Sequence, residues 1–345
     1  MDRSVFTADN GRRTLMFDGS RGRDVTLAQL VDRFETTERS IVVVNRTDPD
    51  PVHDMLVDTF GDDAVRVVER YLRREGSPEG ATRDDDFAAR HDVDGVPLTG
   101  DGSADVEIPV DVEVPVDVEN LVLLVEDGRV VAESTLEELG EAALFVNSDL
   151  YITGTRSLDE LELPRVITGL EDTVFSLRGY PESNRQKLLL ITISRFIERA
   201  AWTAGDGTIR SSFQRLSRID DELGTRRVYE RIGDTDVDAH LYGVPDDPPI
   251  GLDATIHGGR SVDFTDSWFV VFEPPDGFGR PAVTDTAAEC PARGDGGTPV
   301  NDLRRGVDGG VGLLAVETEP RLWQGVWTFD PERLRRLTEY VRRNL

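Results

Sequence analysis

The amino-acid sequence predicts a mixed α+β fold of the α/β class, with an N-terminal strand–helix region followed by helices packed on a mainly antiparallel sheet. Three observations predict it. The run SIVVVN, Ser40 to Asn45, is continuously apolar and β-branched, as in a strand buried on both faces. The block Ser183 to Trp202 carries Leu189, Leu190, Ile193, Phe196, Ile197 and Ala200 at helical spacing. Beyond Gly233 the apolar period falls to two through VDAHLYG, DATIHGG, SWFVVFE, GLLAVETE and RLWQGVWTF, with Gly, Pro and Asp between them. Strands that follow one another without helices predict an antiparallel meander.

The elements follow in chain order. Residues 1–23 are rich in Arg, Asp and Gly, show no apolar period, and read as a flexible leader. Residues 24–75 form an N-terminal α/β region. Thr26 and Gln29 make a capping box ahead of Leu27, Leu30, Val31 and Phe34 on one helical face. After SIVVVN a TDPDP turn leads to a helix marked by Met55, Leu56 and Phe60, and Val65 to Leu72 fits strand and helix equally. Residues 76–119 are an acidic linker, with twelve acids against one arginine between Asp84 and Glu119. Its tandem DVEIPV, DVEVPV and DVEN carries Pro109 and Pro115, which exclude a central strand.

Residues 120–160 connect the halves: a hairpin turning at Asp127-Gly128, a short helix over Ser134 to Leu139, a stretch EAALFVNSDLYITG open to helix or strand, and a capping pair Ser157/Glu160. Residues 161–345 form the second domain. PRVITGLEDTVFSLRG reads as a helical segment and turn. Ser183 and Gln186 then cap the long helix, which Gly205-Asp206-Gly207 ends. A second helix is expected through Phe213, Leu216, Ile219 and Leu223, and a third through Val228, Tyr229 and Ile232 to Gly233. A Gly/Asp/Arg/Pro-rich insertion at about 279–311 reads as flexible. Asp330 as N-cap and Pro331 at the first position open a last helix bearing Leu334, Leu337, Tyr340 and Val341.

Charge narrows the function. The 345 residues hold 39 cationic against 67 acidic side chains, a formal net charge of −28, and Lys187 is the single lysine. Acidity spread along a chain that uses arginine almost alone suits a cytoplasm of molar salt, where the Debye length is only ~3 Å. The same charge argues against nucleic acid and anionic lipid as partners. No apolar run approaches the ~18–20 residues of a membrane span, and the first residues lack a signal core, so a cytoplasmic location is expected. The one cysteine, Cys290, excludes an internal disulfide.

The chemical motifs are sparse. GxxxxGK[ST] and G-x-S-x-G are absent, and His53, His91, His240 and His257 form no metal-ligand spacing. Asp308 to Gly312 fits D-x-G-x-G and His53-Asp54 a phosphoacceptor, but no asparagine-bearing helix stands upstream. His240 and His257 fall on neighbouring expected strands, and their meeting in a deep pocket would reopen an enzymatic reading. No enzyme, metal or cofactor is therefore expected. The remaining candidate is the helical block, where Arg195, Glu198, Arg199, Trp202, Phe213, Gln214 and Arg218 surround a helix break. They read as either an amphipathic pair or the wall of a small-ligand pocket.

The stretches SRFIERAAWTAGDGTIRSSFQRLSRIDDELGTRRVYERI, DVDAHLYGVPD, SWFVVFE and WQGVWTFDPERL resemble the DICT domain family, strongest from about Thr173 to Gly243. TLAQLVDRFETTERSIVVVN resembles the opening of its haloarchaeal stand-alone versions. The resemblance implies a sensory domain with helices against a sheet, and falls on Glu198, Arg199, Trp202, Gly205, Gly207, Phe213, Gln214 and Tyr229. The acidic repeat and the insertion after Phe278 depart from the family pattern, and no output domain is attached, so output would run through a partner. The expected function is a cytoplasmic signal-sensing module that binds an unidentified small ligand or a signalling protein. The alternative is a transcription-linked interaction module without a ligand, using Arg333, Arg335, Arg336, Arg342 and Arg343 of the last helix.

Overall fold

A computed structural model describes residues 4–9, 12–16, 26–31, 39–47, 52–53, 56–57, 65–70, 118–144, 162–178, 184–221, 223–279, 300–320 and 322–345. It contains helices and mixed sheets, as expected for the α/β class. Two compact units divide it: residues 36–141 with 164–170, and residues 1–35 with 142–163 and 171–345. The boundaries differ from the sequence reading, because the hairpin expected in a connecting region belongs to the sheet of the first unit.

That first sheet has the order β4-β3-β5-β6, from β3 (Arg39–Val44), β4 (Val65–Arg70), β5 (Leu121–Glu126) and β6 (Arg129–Thr135). The ambiguous stretch after Val65 is a strand, parallel to β3. Ile41 to Val44 and Val122 to Val125 are buried on both faces, which explains why neither run alternates. Asp127 (φ 49°) and Gly128 (φ 72°) make the two-residue turn, and both need the left-handed region that this pair tolerates. A capping box on Thr135 and Glu138 starts the next helix, Leu136–Leu144, which runs beyond the expected Leu139.

The second unit is built on a nine-stranded sheet, order β2-β1-β10-β9-β8-β11-β12-β13-β7. Its strands are β1 (Ser4–Asp9), β2 (Arg12–Met16), β7 (Phe175–Arg178), β8 (Asp206–Arg215), β9 (Asp236–Val244), β10 (Thr255–Gly258), β11 (Ser267–Glu273), β12 (Val311–Glu319) and β13 (Leu322–Thr328). Residues expected as a leader thus include an antiparallel hairpin on β10. The meander holds for β11 to β13 only. β8, β9 and β10 run parallel: the helical segment after β8 returns the chain to the same end of the sheet for β9, and residues 245–254 do so for β10.

Of the helices, we label α1 (Leu27–Val31), α2 (Leu136–Leu144), α3 (Arg165–Thr168), α4 (Asn184–Ala204), α5 (Arg218–Asp221), α6 (Leu223–Gly233), α7 (Val262–Thr265), α8 (Val300–Gly309) and α9 (Pro331–Asn344). The Thr26/Gln29 capping box forms ahead of α1, and Asp330 caps α9 by accepting from the Glu332 and Arg333 amides. α4 covers one sheet face, where Phe196 meets Trp327 and Phe329 edge-on. α1, α7 and α9 cover the other, around Tyr242, Phe264, Phe269, Leu314, Leu334 and Val341. The 279–311 stretch is not a structureless insertion throughout, since residues 300–309 within it form α8 and Val311 begins β12. The acidic repeat up to Asp117, the Ser157/Glu160 and Ser183/Gln186 pairs, Phe34, Met55, Phe60, His91 and Cys290 lie outside the described residues or side chains.

The largest correction concerns residues 206–215, expected to lead into a helix and found as the central strand. Phe213, Leu216 and Ile219 fall three apart, which imitates a helix. The deciding feature is the pair Gly205 (φ 71°) and Gly207 (φ 113°), which takes the chain out of the helical region as α4 ends. A Cβ on Gly207 would also lie 2.5 Å from the Glu273 carbonyl oxygen of β11. Gly207→Ala is therefore expected to cost about 2–3 kcal/mol of stability in chemical denaturation. Gly251→Ala, equally left-handed but in open space, should cost only about 1 kcal/mol.

Candidate functional site

The seven residues proposed from the sequence stand on α4 (Arg195, Glu198, Arg199 and Trp202), β8 (Phe213 and Gln214) and α5 (Arg218). Arg195 and Glu198, 3% and 2% exposed, form an ion pair within α4. Arg195 Nη2 donates to Thr225 Oγ1 at 2.8 Å. Tyr229 Oη lies 2.9 Å from Glu198 Oε1 and 2.6 Å from Ser211 Oγ. Burial, then the Glu198 charge, pushes the Tyr229 hydroxyl well above its ordinary value, so it stays a neutral donor. This network joins α4, β8 and α6. Phe213, half-buried, packs edge-on against Tyr229. Gln214 (φ 52°) donates through Nε2 to the Ser267 carbonyl at 2.5 Å and accepts from Arg218. Arg199 and Trp202 are half-buried on α4. These contacts serve the fold, and none of the seven borders the pocket below.

The pocket opens on the other face of the same strand. Side chains alternate along β8, so Ser211 points to the α4 side and Thr208 and Arg210 to the opposite one. Register sets Asp238 beside Thr208, His240 beside Arg210, and His257 beside Tyr242. Together with Asp206, Glu273, Pro274, Pro275, Arg342 and Leu345 they enclose about 740 Å³. His240 Nε2 lies 2.9 Å from Asp238 Oδ2, and His240 Nδ1 lies 2.8 Å from His257 Nε2. The His257 ring stacks on Tyr242 with centroids 4.2 Å apart. Arg210 Nη1 donates to Tyr242 Oη at 3.0 Å.

The bonds assign the protons. An ionised Asp238 only accepts, so His240 carries its proton on Nε2. A neutral His240 then accepts at Nδ1, and His257 Nε2–H is the donor. Burial, then the Arg210 charge, holds His240 below the ordinary 6.5, against the pull of Asp238. Burial raises the Tyr242 hydroxyl, with Arg210 opposing, so it too is a neutral phenol. The result is a polarised chain Asp238···His240···His257 ending in the pocket.

The sequence brought His240 and His257 onto neighbouring strands. It missed Arg210, Tyr242 and Glu273: Arg210 ends GDGTIR, read as a break between helices, and Tyr242 and Glu273 stood in expected strands with nothing local to set them beside it. The alternation in TIRSSFQ was the available signal. Of the other motifs, His53 pairs with Glu69 at 3.0 Å, and Arg46 with the same carboxylate at 3.2 Å. Gly310 of the D-x-G-x-G match (φ 89°) turns α8 into β12 under Phe278, which a Cβ would strike at 2.6 Å. In α9, Arg333 pairs with Asp172, Arg336 with Glu332 and Arg343 with Glu339, and Arg335 donates to the Phe278 carbonyl. Among the described residues no group of three or more His, Cys, Asp or Glu is placed to hold a metal, and no helix is long and apolar enough to cross a membrane. Comparison with family models, curated proteins and solved structures finds no match.

Two outcomes test these assignments. Glu198→Ala leaves Arg195 buried without its partner and is expected to cost about 3–5 kcal/mol, while the joint Arg195→Met/Glu198→Leu change recovers most of the loss in thermal denaturation. For His240, the folded chain binds a proton less readily than the unfolded chain. Its contribution to stability is complete above pH 6.5 and is lost as pH falls from there through the folded value. NMR titration of the ring should give a midpoint below 6.5, and Arg342→Gln, removing a nearby cation, should raise it. A parent midpoint at or above 6.5 contradicts the assignment.

Proposed function

We propose that this chain is a cytoplasmic signal-sensing module, of the DICT-like kind its helical block resembles. It binds a small ligand in the pocket over β8, β9 and β10 and signals by a change of conformation. The observation that carries this reading is the run Asp238···His240···His257, stacked on Tyr242 and opening into about 740 Å³ of space. A concave site with an aromatic wall and a few oriented polar groups is how small molecules are recognised. The pocket wall includes Arg342 and Leu345, and Arg342 sits on α9. A ligand that contacts both sheet and helix binds two positions of that helix with different affinity, which is the requirement for signalling. Output then passes to a partner protein.

A second reading has an observation of its own. A histidine oriented by a carboxylate is a common general base, and a second histidine in line extends the proton path. Among the described residues, however, the lining includes no serine, cysteine or lysine to act as nucleophile, and its one aliphatic hydroxyl is that of Thr208. Recognition without bond-making is therefore preferred.

The test is thermal denaturation in molar KCl against a panel of metabolites and nucleotides, with the parent chain and His257→Asn. At a hundredfold excess over Kd, a ligand stabilises by about 2.7 kcal/mol. At least one compound should raise the parent Tm without being turned over, and His257→Asn should lose that shift. A shift that persists in His257→Asn, or consumption of the compound, would sink the proposal.

A further inference from the structure

Arg210 is 8% exposed and borders the pocket. Its Nη1 donates to Tyr242, its Nε has no hydrogen-bond partner, and no carboxylate among the described residues pairs with it. That is unusual in this chain. Arg195 is buried to the same degree and is neutralised by Glu198, and Arg39, Arg226, Arg305 and Arg333 all have acidic partners. A guanidinium taken out of water without a counter-charge costs several kcal/mol. A chain with 67 acidic side chains has ample means to supply one there. The acids of the pocket stand elsewhere: Asp238 is committed to His240, and Asp206 and Glu273 lie toward the first residues of β8 and the end of β11.

We propose that the pocket ligand is a small molecule bearing one oxyanion group, carboxylate or phosphate, that docks on the Arg210 guanidinium with Arg342 beside it and turns hydrogen-bond donors toward Asp206 and Glu273. The inference rests on the pocket being the ligand site and goes further by naming what enters it. Arginine meets such groups through paired N–H donors, which a lysine cannot reproduce. Tyr242 Oη already accepts from Arg210, so its own proton is available to the same oxyanion. The nearby acids disfavour a ligand with several anionic groups and favour one whose remainder carries amine or hydroxyl groups.

The probes are inorganic phosphate, acetate and glutamate, with glycerol as the neutral control, titrated at constant molar KCl. Binding is read from the side-chain nitrogen shifts of His240 and His257. The parent chain should show saturable shifts with phosphate or with the carboxylates, whichever class the site takes, and none with glycerol. Arg210→Lys should weaken binding by about tenfold or more and Arg210→Gln should abolish it, each checked for native near-UV circular dichroism. Arg342→Gln, on an exposed position, should weaken it several-fold and serves if the Arg210 variants do not fold. Absence of saturable binding by any oxyanion overturns the inference, as does unchanged affinity in folded Arg210→Gln. A neutral compound that binds the parent, is lost in His257→Asn and is unaffected by Arg210→Gln would overturn the ligand class while leaving the pocket as the site. Binding that ignores His257→Asn would remove the pocket itself.

Discussion

Strand β8 carries opposite duties on its two faces, and its register is what keeps them apart. Ser211 reaches the hydroxyl of Tyr229 and, through it, the Arg195–Glu198 pair under α4 and α6. Arg210, one residue earlier, reaches Tyr242 on the pocket side. A slip by one residue would bring a guanidinium to the Tyr229 hydroxyl and a serine to the pocket floor. The buried network is thus more than packing. Its hydrogen bonds are satisfied only in one alignment, and that alignment also sets His240 beside Arg210.

Much of this fold was legible in the residues, and the parts that were not share a cause. SIVVVN, the long helix to Ala204, the hairpin at Asp127-Gly128 and the final helix after Asp330 all appear where local pattern and end signals agree. β8 did not, because Phe213, Leu216 and Ile219 happen to fall three apart, and only the whole sheet makes the alternation of Ile209 to Ser212 decisive. The N-terminal hairpin carries no apolar period in its sequence to mark it. Parallel pairing of β8, β9 and β10 has no local mark at all. The candidate site suffered from the same error. Glu198 and Arg195 stood out chemically but are turned into the core, while Arg210 fell in GDGTIR, read as a break between helices rather than as part of a strand.

The charge of the chain bears on the pocket through distance. A net charge of −28 would oppose the approach of an anion to Arg210 if it acted over the whole surface. In the molar salt that the composition predicts, exposed charges would be screened beyond ~3 Å, and Arg210 and the two histidines would respond chiefly to their immediate neighbours. Those neighbours are Tyr242, Asp238 and Arg342, and the opposing pulls of Arg210 and Asp238 on His240 are of this short range. Global acidity and a single buried guanidinium in the pocket are therefore compatible in one molecule.

The pairing of β1 with β10 places Ser4 opposite Gly258 and Thr7 opposite Thr255. During synthesis at ~5–20 residues per second, the first strand emerges on the order of ten seconds before its partner exists. Over that interval its edge is open to any other strand, including one from a neighbouring nascent chain. Asp9, Arg12 and Arg13 give this waiting hairpin a mixture of charges, which is the usual protection of an unpaired edge against aggregation on the ribosome.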